Sequence, residues 1–289
     1  MAEDARAPLL VTIDDADVVL GGAPVLQDIS FTLRQGESWA VLGGNGAGKS
    51  TFLKLLRGDV WPHPGSRGRR LYHFPGQPSE SHIGAREQMP LVSPEVQDTY
   101  LRRDWDVPVV DVVRSGFHDS VWVHQPLSAE QERRVNDALQ LVGLQHARQR
   151  SILELSTGEA RRVFLARAFA PLQRVLLLDE FARGLDAGSR ERVLEAISAI
   201  ARAGTPVLMT SHRSDDLIPE IDHAVLLEGG RIAAVGSRDQ ILGDWERATA
   251  ARRSRPLSFR PDGRVRLGAA PGAASGRGPE GHEAVSAGS

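Results

Sequence analysis

The sequence predicts an α/β fold with a mainly parallel sheet core, an N-terminal antiparallel β layer and an inserted helical subdomain. Three observations carry this. Residues 9–13, 16–20 and 25–33 read as short strands divided by turn residues, with Gly21-Gly22 before the last. From Ser38 the pattern turns to strand, glycine-rich loop and helix, and fully apolar runs return at residues 175–178 and 206–209. Strands apolar on both faces belong in a parallel sheet covered by helices.

Taken in order, residues 8–35 form the expected antiparallel layer, residues 36–97 and 171–240 the core, and residues 98–170 the helical part. Residues 61–97 are rich in Pro, Gly and His and read as loops with one strand at 90–93. Within 98–170 the clearest helix covers 129–142, and another starts at Ser156. The compact region is thus 8–254. Beyond it, residues 255–289 shift to Gly, Ala, Ser, Pro and Arg without periodicity, a composition that buries too little apolar surface to offset ordering and predicts a disordered tail.

Composition bounds the function. The 289 residues suffice for a substantial core, and 41% are hydrophobic. With 35 basic against 37 acidic residues, the formal charge of −2 provides no general attraction to nucleic acid. No apolar run approaches a bilayer span and the start Met1-Ala2-Glu3-Asp4 lacks a signal-peptide order, so a cytoplasmic location is expected. Zero cysteines exclude disulfides, thiolate metal sites and cysteine nucleophiles. No internal repeat is present, which predicts one nucleotide site per chain.

The strongest chemical signal is Gly43-Gly44-Asn45-Gly46-Ala47-Gly48-Lys49-Ser50-Thr51, between the apolar run Trp39-Ala40-Val41-Leu42 and a helical pattern. Glycines let backbone N–H groups turn inward, where they and the positive end of the following helix converge on an anion. A triphosphate meets that demand, with Lys49 between the β- and γ-phosphates and Ser50 as a ligand of Mg²⁺. This makes the core that of a P-loop NTPase. Downstream, the strand Val175-Leu176-Leu177-Leu178 ends in Asp179-Glu180, at the edge where parallel sheets bind ligands. Two acids capping a core strand would read alike in isolation; behind a phosphate loop, Asp179 suits Mg²⁺ and Glu180 suits the polarising of an attacking water.

Leu155-Ser156-Thr157-Gly158-Glu159 opens a helix with Ser156 as N-cap. This segment resembles the signature sequence of the ATP-binding cassette (ABC) ATPase family, usually Leu-Ser-Gly-Gly-Gln, with Thr157 and Glu159 as variants. In that family the helix tip binds the γ-phosphate held by the opposite subunit, a role the helix dipole supports. Other positions over roughly 8–240 follow the family's order. Asp186 in Gly184-Leu185-Asp186 resembles the aspartate loop at the dimer interface, and His212 in Thr210-Ser211-His212 resembles the switch histidine of the γ-phosphate, although alone it would read as a surface histidine. Three departures stand out. Leu20 occupies the place of the adenine-stacking aromatic. Pro94 and Glu95 stand where the glutamine loop is expected, which leaves Gln97 as the candidate near the metal. Phe181-Ala182-Arg183 replaces a segment that commonly begins with proline.

The resemblance implies a homodimer that sandwiches ATP and Mg²⁺, with hydrolysis coupled to a separate membrane permease and the chain peripheral to the inner face of the cell membrane. The segments 91–95 and 112–117 are similar to single-cassette ATPases related to molybdate and iron-complex importers and to photorepair-type proteins. The alternative is a soluble cassette ATPase with a regulatory or nucleic-acid-associated role and no permease. A structural module without turnover is disfavoured, because both carboxylates are present.

Overall fold

The computed structural model describes residues 7–74, 78–93, 100, 103–118, 120–253, 257–259 and 265–267. It divides into two units, Met1–Leu242 and Gly243–Ser289.

The first unit opens with an antiparallel layer of three strands in the order β2-β1-β4: β1 (Leu9–Leu20), β2 (Ala23–Arg34) and β4 (Arg69–Tyr72). Gly21 and Gly22, both at positive φ (58° and 82°), close the β1–β2 hairpin where Leu20 pairs with Ala23. Two left-handed residues match the strand twist and favour glycine. The expected break between residues 13 and 16 is a register shift inside one continuous strand, with Asp15 at φ 45° and its carboxylate accepting from Ser30 Oγ at 2.9 Å. A bulge tolerates the polar pair that the pattern reads as a turn.

The core sheet has six strands in the order β5-β6-β7-β3-β8-β9: β3 (Trp39–Leu42), β5 (Leu91–Val92), β6 (Leu176–Leu178), β7 (Val207–Ser211), β8 (His223–Glu228) and β9 (Arg231–Ser237). All pairings are parallel except β8 with β9. Strands β3, β6 and β7 are buried along their whole length, as both-face coverage requires. Helix α1 (Lys49–Arg57) buries Phe52, Leu53, Leu55 and Leu56 against this sheet and the antiparallel layer, in one cluster with Phe31, Trp39 and Val225.

The region read as loops holds more structure than its composition suggests. Strand β4 and the short helix α2 (Ala85–Gln88) lie within it. Arg70 of β4 is 2% exposed, and its Nη1 donates to the carbonyls of Leu55 (2.6 Å) in the last turn of α1 and Val60 (2.7 Å) in the chain just beyond it, while Trp61 and Tyr72 flank the guanidinium. A cation at a helix C-terminus satisfies carbonyls the helix leaves open. The same burial lowers the Arg70 pKa and pushes the Tyr72 hydroxyl up to about 12. Arg70→Met removes the donor from two carbonyls and should cost about 2–4 kcal/mol in urea unfolding; a midpoint equal to that of the wild type would show that water replaces the guanidinium.

In the helical part, α3 (Val109–Arg114), α4 (Ala129–Leu141) and α5 (Thr157–Phe169) are joined by turns and loops. Both long helices start with capping boxes, Ser128 with Gln131 and Ser156 with Glu159. Helix α6 (Ala187–Arg202) follows β6, and α7 (Arg238–Arg253) starts in the first unit and ends in the second. The second unit also contains the antiparallel pair β10 (Leu257–Phe259) and β11 (Val265–Leu267), inside the segment whose composition reads as a disordered tail.

Candidate nucleotide site

The sheet order gathers the sequence-derived candidates on one edge. Leu42 of β3 pairs with Ser211 of β7, and Leu178 of β6 pairs with Met209. The residues that leave these three strands at their C-terminal ends, Gly43, Asp179 and His212, therefore emerge side by side, as ligands of parallel sheets require.

The loop between β3 and α1 depends on two glycines in particular. Gly43 lies at φ 153°, and a Cβ there would stand 2.5 Å from the Leu227 carbonyl oxygen. Gly48 lies at φ 100°, and its Cβ would meet Leu26 Cδ2 at 2.6 Å. No other side chain fits either position without moving a neighbour. A cleft of about 430 Å³ opens over the loop, lined by loop and helix residues from Asn45 to Thr51 together with Val25, Glu180 and Arg183. Size alone does not locate the site: a cleft of about 990 Å³ lined by Leu141, Arg162, Arg190 and Leu217 contains none of the candidate residues.

Lys49 is 5% exposed. Its ammonium donates to the carbonyls of Gly43 and Gly44, both at 3.1 Å, and lies 3.3 Å from Glu180 Oε1. Arg183 Nη1 donates to the other oxygen, Glu180 Oε2, at 2.6 Å. Burial pushes the Glu180 carboxyl upward, but the Arg183 and Lys49 cations outweigh it and hold the group below its ordinary range. The Glu180 backbone has φ 42°, a left-handed conformation that costs a non-glycine residue roughly 1–3 kcal/mol and persists where surroundings enforce it. Thr210 does so here. Its hydroxyl accepts from the Glu180 N–H and donates to Asp179 Oδ1, both at 2.8 Å, which fixes the two acids relative to each other.

Asp179 is 8% exposed, and its side-chain partner is a hydroxyl. Among the described residues no group of three or more His, Cys, Asp or Glu forms a metal cage. The hard oxygens of Asp179 and Ser50 are of the kind that would hold a Mg²⁺ beside phosphates.

The remaining candidates lie elsewhere. Ser156 caps α5, with Oγ accepting from the Glu159 N–H at 3.3 Å and donating to the Glu159 carboxylate at 2.7 Å. The hydroxyl's bond to the carboxylate, together with that of the Ser156 N–H to the same oxygen at 2.9 Å, holds the Glu159 carboxyl below its ordinary range. Gly158 is buried against Ser189, where a Cβ would approach to 2.8 Å, and Asp186 caps α6 through the Ser189 N–H at 2.9 Å. The tips of α5 and α6 thus touch, and neither Ser156, Gly158 nor Asp186 lines the 430 Å³ cleft. Phe181, in the place where proline is common, is buried, and its carbonyl accepts from the buried Arg161 of α5. Leu20 is 44% exposed beside the hairpin turn, and Val25 supplies the apolar wall of the cleft instead. Gln97, Pro94 and Glu95 lie outside the described residues. Thr210 and Arg183 escape the sequence reading. Thr210 is visible only through strand register, whereas the three-residue spacing of Arg183 from Glu180 is a signal present in the sequence.

Comparison with known proteins bears on this geometry. The family model described as ABC transporter matches residues 26–183. The Fe(3+) ions import ATP-binding protein FbpC of Streptomyces coelicolor is 34% identical over 253 residues, 87% of this chain and 68% of its own length. The chelated iron transport system membrane protein YfeB of Yersinia pestis is 33% identical, over 78% of this chain and 73% of its own. Among solved structures, cbiO1 of Clostridium perfringens, part of the ABC transporter complex cbiONQ, superposes with a TM-score of 0.69 at 24% identity, over 86% of this chain and 96% of the other. The ADP conformation of the ATP-binding cassette MJ1267 gives 0.66 at 19% identity, over 82% and 94%, and the likeness in both cases is one of fold.

Proposed function

Because this chain belongs to the ABC transporter family and is an ATP-binding, ATP-hydrolysing cassette, we propose that it works as a homodimer that drives a separate membrane permease. The observation that carries the dimer is the separation of the site into two parts within one chain. Lys49, Ser50, Thr51 and Glu180 line the cleft over the phosphate loop, with Asp179 fixed to Glu180 through Thr210, whereas the capped tip of α5 with Ser156 and Gly158, and Asp186 beside it, do not line it. A helix N-terminus is an anion site, and a second copy of the chain can present it to a phosphate already held by the first.

In this reading residues 43–51 hold the triphosphate through main-chain N–H groups and the Lys49 ammonium. Asp179 and Ser50 hold Mg²⁺, which when bound neutralises charge on the phosphate oxygens. Glu180 accepts a proton from water as its oxygen bonds to the γ-phosphorus and the bond to the β-phosphate oxygen breaks, releasing ADP and phosphate. His212, leaving β7 next to the loop, contacts the γ-phosphate. Val25 supports the base in the absence of an aromatic at Leu20.

The permease rests on relatives named for import of Fe(3+) and for transport of manganese and zinc. Among the described residues no helix is long and apolar enough to cross a membrane, and the reading assigns the membrane pathway to another chain, with this one cytoplasmic and peripheral to the membrane. Its test combines two measurements. ATPase activity per subunit should fall on dilution as the dimer dissociates, and the tagged chain should co-purify from membranes with an integral protein. A per-subunit rate that stays constant far below the dissociation range would overturn the dimer. Recovery from membranes without any integral partner would favour the soluble alternative.

A further inference from the structure

Glu180 carries a negative charge into a cleft built for a polyanion, and the two cations that hold its carboxylate have different fates when the nucleotide enters. Lys49 at 3.3 Å also rests on the carbonyls of Gly43 and Gly44, the lip of the phosphate loop. To meet phosphates it must give up those oxygens and turn from Glu180. The Thr210 hydroxyl fixes the Glu180 main chain but does not touch its carboxylate. That leaves Arg183, 2.6 Å from Oε2 and also bonded through its N–H to the Glu180 carbonyl at 3.0 Å, as the remaining cation on the carboxylate among the described residues. Its side chain is 58% exposed and lines the cleft, so the pair needs no rearrangement of the core to persist.

We propose that Arg183 is a positioning residue that holds the Glu180 carboxylate toward the attacking water once Lys49 has moved to the phosphates. The inference rests on the hydrolytic role given above to Glu180. Without Arg183 the carboxylate faces a triphosphate of like charge with no counter-charge of its own, and it swings away from the reacting centre. One guanidinium nitrogen, Nη1, meets the carboxylate, and the bond from the Arg183 N–H to the Glu180 carbonyl anchors the base of the arginine side chain.

Arg183→Ala should lower kcat about tenfold or more, the scale of loss when a reacting group is misplaced, with KM for ATP within about twofold of the wild type. Arg183→Lys should restore part of kcat, and Arg183→Gln, which keeps size without charge, should not. A fluorescent ATP analogue should bind Arg183→Ala with wild-type affinity, and more of the nucleotide-bound dimer should be present in gel filtration because turnover empties it more slowly. An unchanged kcat would overturn the inference. So would a raised kcat, which would make the pair a brake, or a raised KM at constant kcat, which would make Arg183 a phosphate ligand. Because the side chain is largely exposed, the variants should unfold at the wild-type temperature; a variant that loses turnover only by melting would count against the proposal. The control is Glu180→Gln: if that variant is inactive while Arg183→Ala is normal, the positioning role alone fails, whereas an active Glu180→Gln removes the hydrolytic reading itself.

Discussion

Glu180→Gln should reduce ATP turnover by about 10²- to 10⁴-fold, the range a positioned proton acceptor contributes, while the protein still binds ATP. The substitution keeps the size of the side chain and alters its charge and basicity. The amide oxygen still accepts from Arg183 or Lys49, so the loop geometry survives, but an amide does not take a proton from water. Affinity for ATP should hold or rise, since a negative charge has been removed from beside the triphosphate. Two readouts separate these effects: phosphate release reports the step, and retention of labelled ATP on the dimer reports the complex. A variant that hydrolyses at the wild-type rate would remove Glu180 from proton transfer and leave its left-handed backbone at φ 42° without a functional reason.

How far the site is legible in the sequence depends on whether a residue's role is set locally. Gly43 and Gly48 are readable because left-handed backbone and close approach to Leu227 and Leu26 demand glycine whatever the rest of the chain does. Ser156 is readable for the same reason, since an N-cap and its partner Glu159 lie three residues apart. Asp179 and Glu180 follow from an apolar strand of the right kind. Thr210 is not readable in this way: its hydroxyl matters because β7 lies beside β6 in register, and nothing near residue 210 announces that pairing.

The fold shows the same division. The β1–β2 hairpin announces itself through Gly21-Gly22, and the apolar strands through their composition. Strand β4 is hidden because Arg69-Arg70-Leu71-Tyr72 looks like exposed chain, and only the end of α1 explains why an arginine is buried there. Strand β8 is a different matter. Ala224-Val225-Leu226-Leu227 carries the same apolar signal as residues 175–178, and Gly229-Gly230 at positive φ marks the turn into β9, so this hairpin is written in the local sequence. The polar pair Asp14-Asp15 misleads in the opposite direction, suggesting a break where the strand carries a bulge.

Lys49→Ala should weaken ATP binding by about 10- to 100-fold, equivalent to roughly 1.5–3 kcal/mol for hydrogen bonds to a charged group. The contacts of Lys49 with the Gly43 and Gly44 carbonyls and Glu180 show how the loss divides between folding and binding. With the ammonium gone, Arg183 still neutralises Glu180 and water can reach the exposed Gly44 carbonyl, but the buried Gly43 carbonyl loses its donor. The variant without nucleotide should therefore be less stable by about 1–3 kcal/mol, and the loss in binding is read as the difference between the two ATP-induced shifts. The difference emerges when ATP is added. At a concentration 100 times the wild-type Kd the ligand stabilises the wild type by about 2.7 kcal/mol, and a 100-fold weaker variant at the same concentration gains only about 0.4 kcal/mol. A thermal shift series with ATP in the presence of EDTA measures this without hydrolysis and without Mg²⁺, and so isolates the lysine from the metal. Lys49→Arg should recover little, because a planar fork replaces a compact ammonium in a pocket where the lysine is 5% exposed. If Lys49→Ala shifted with ATP as the wild type does, the triphosphate would not lie against the β3–α1 loop, and the roles given to Ser50, Asp179 and Glu180 would lose their common anchor.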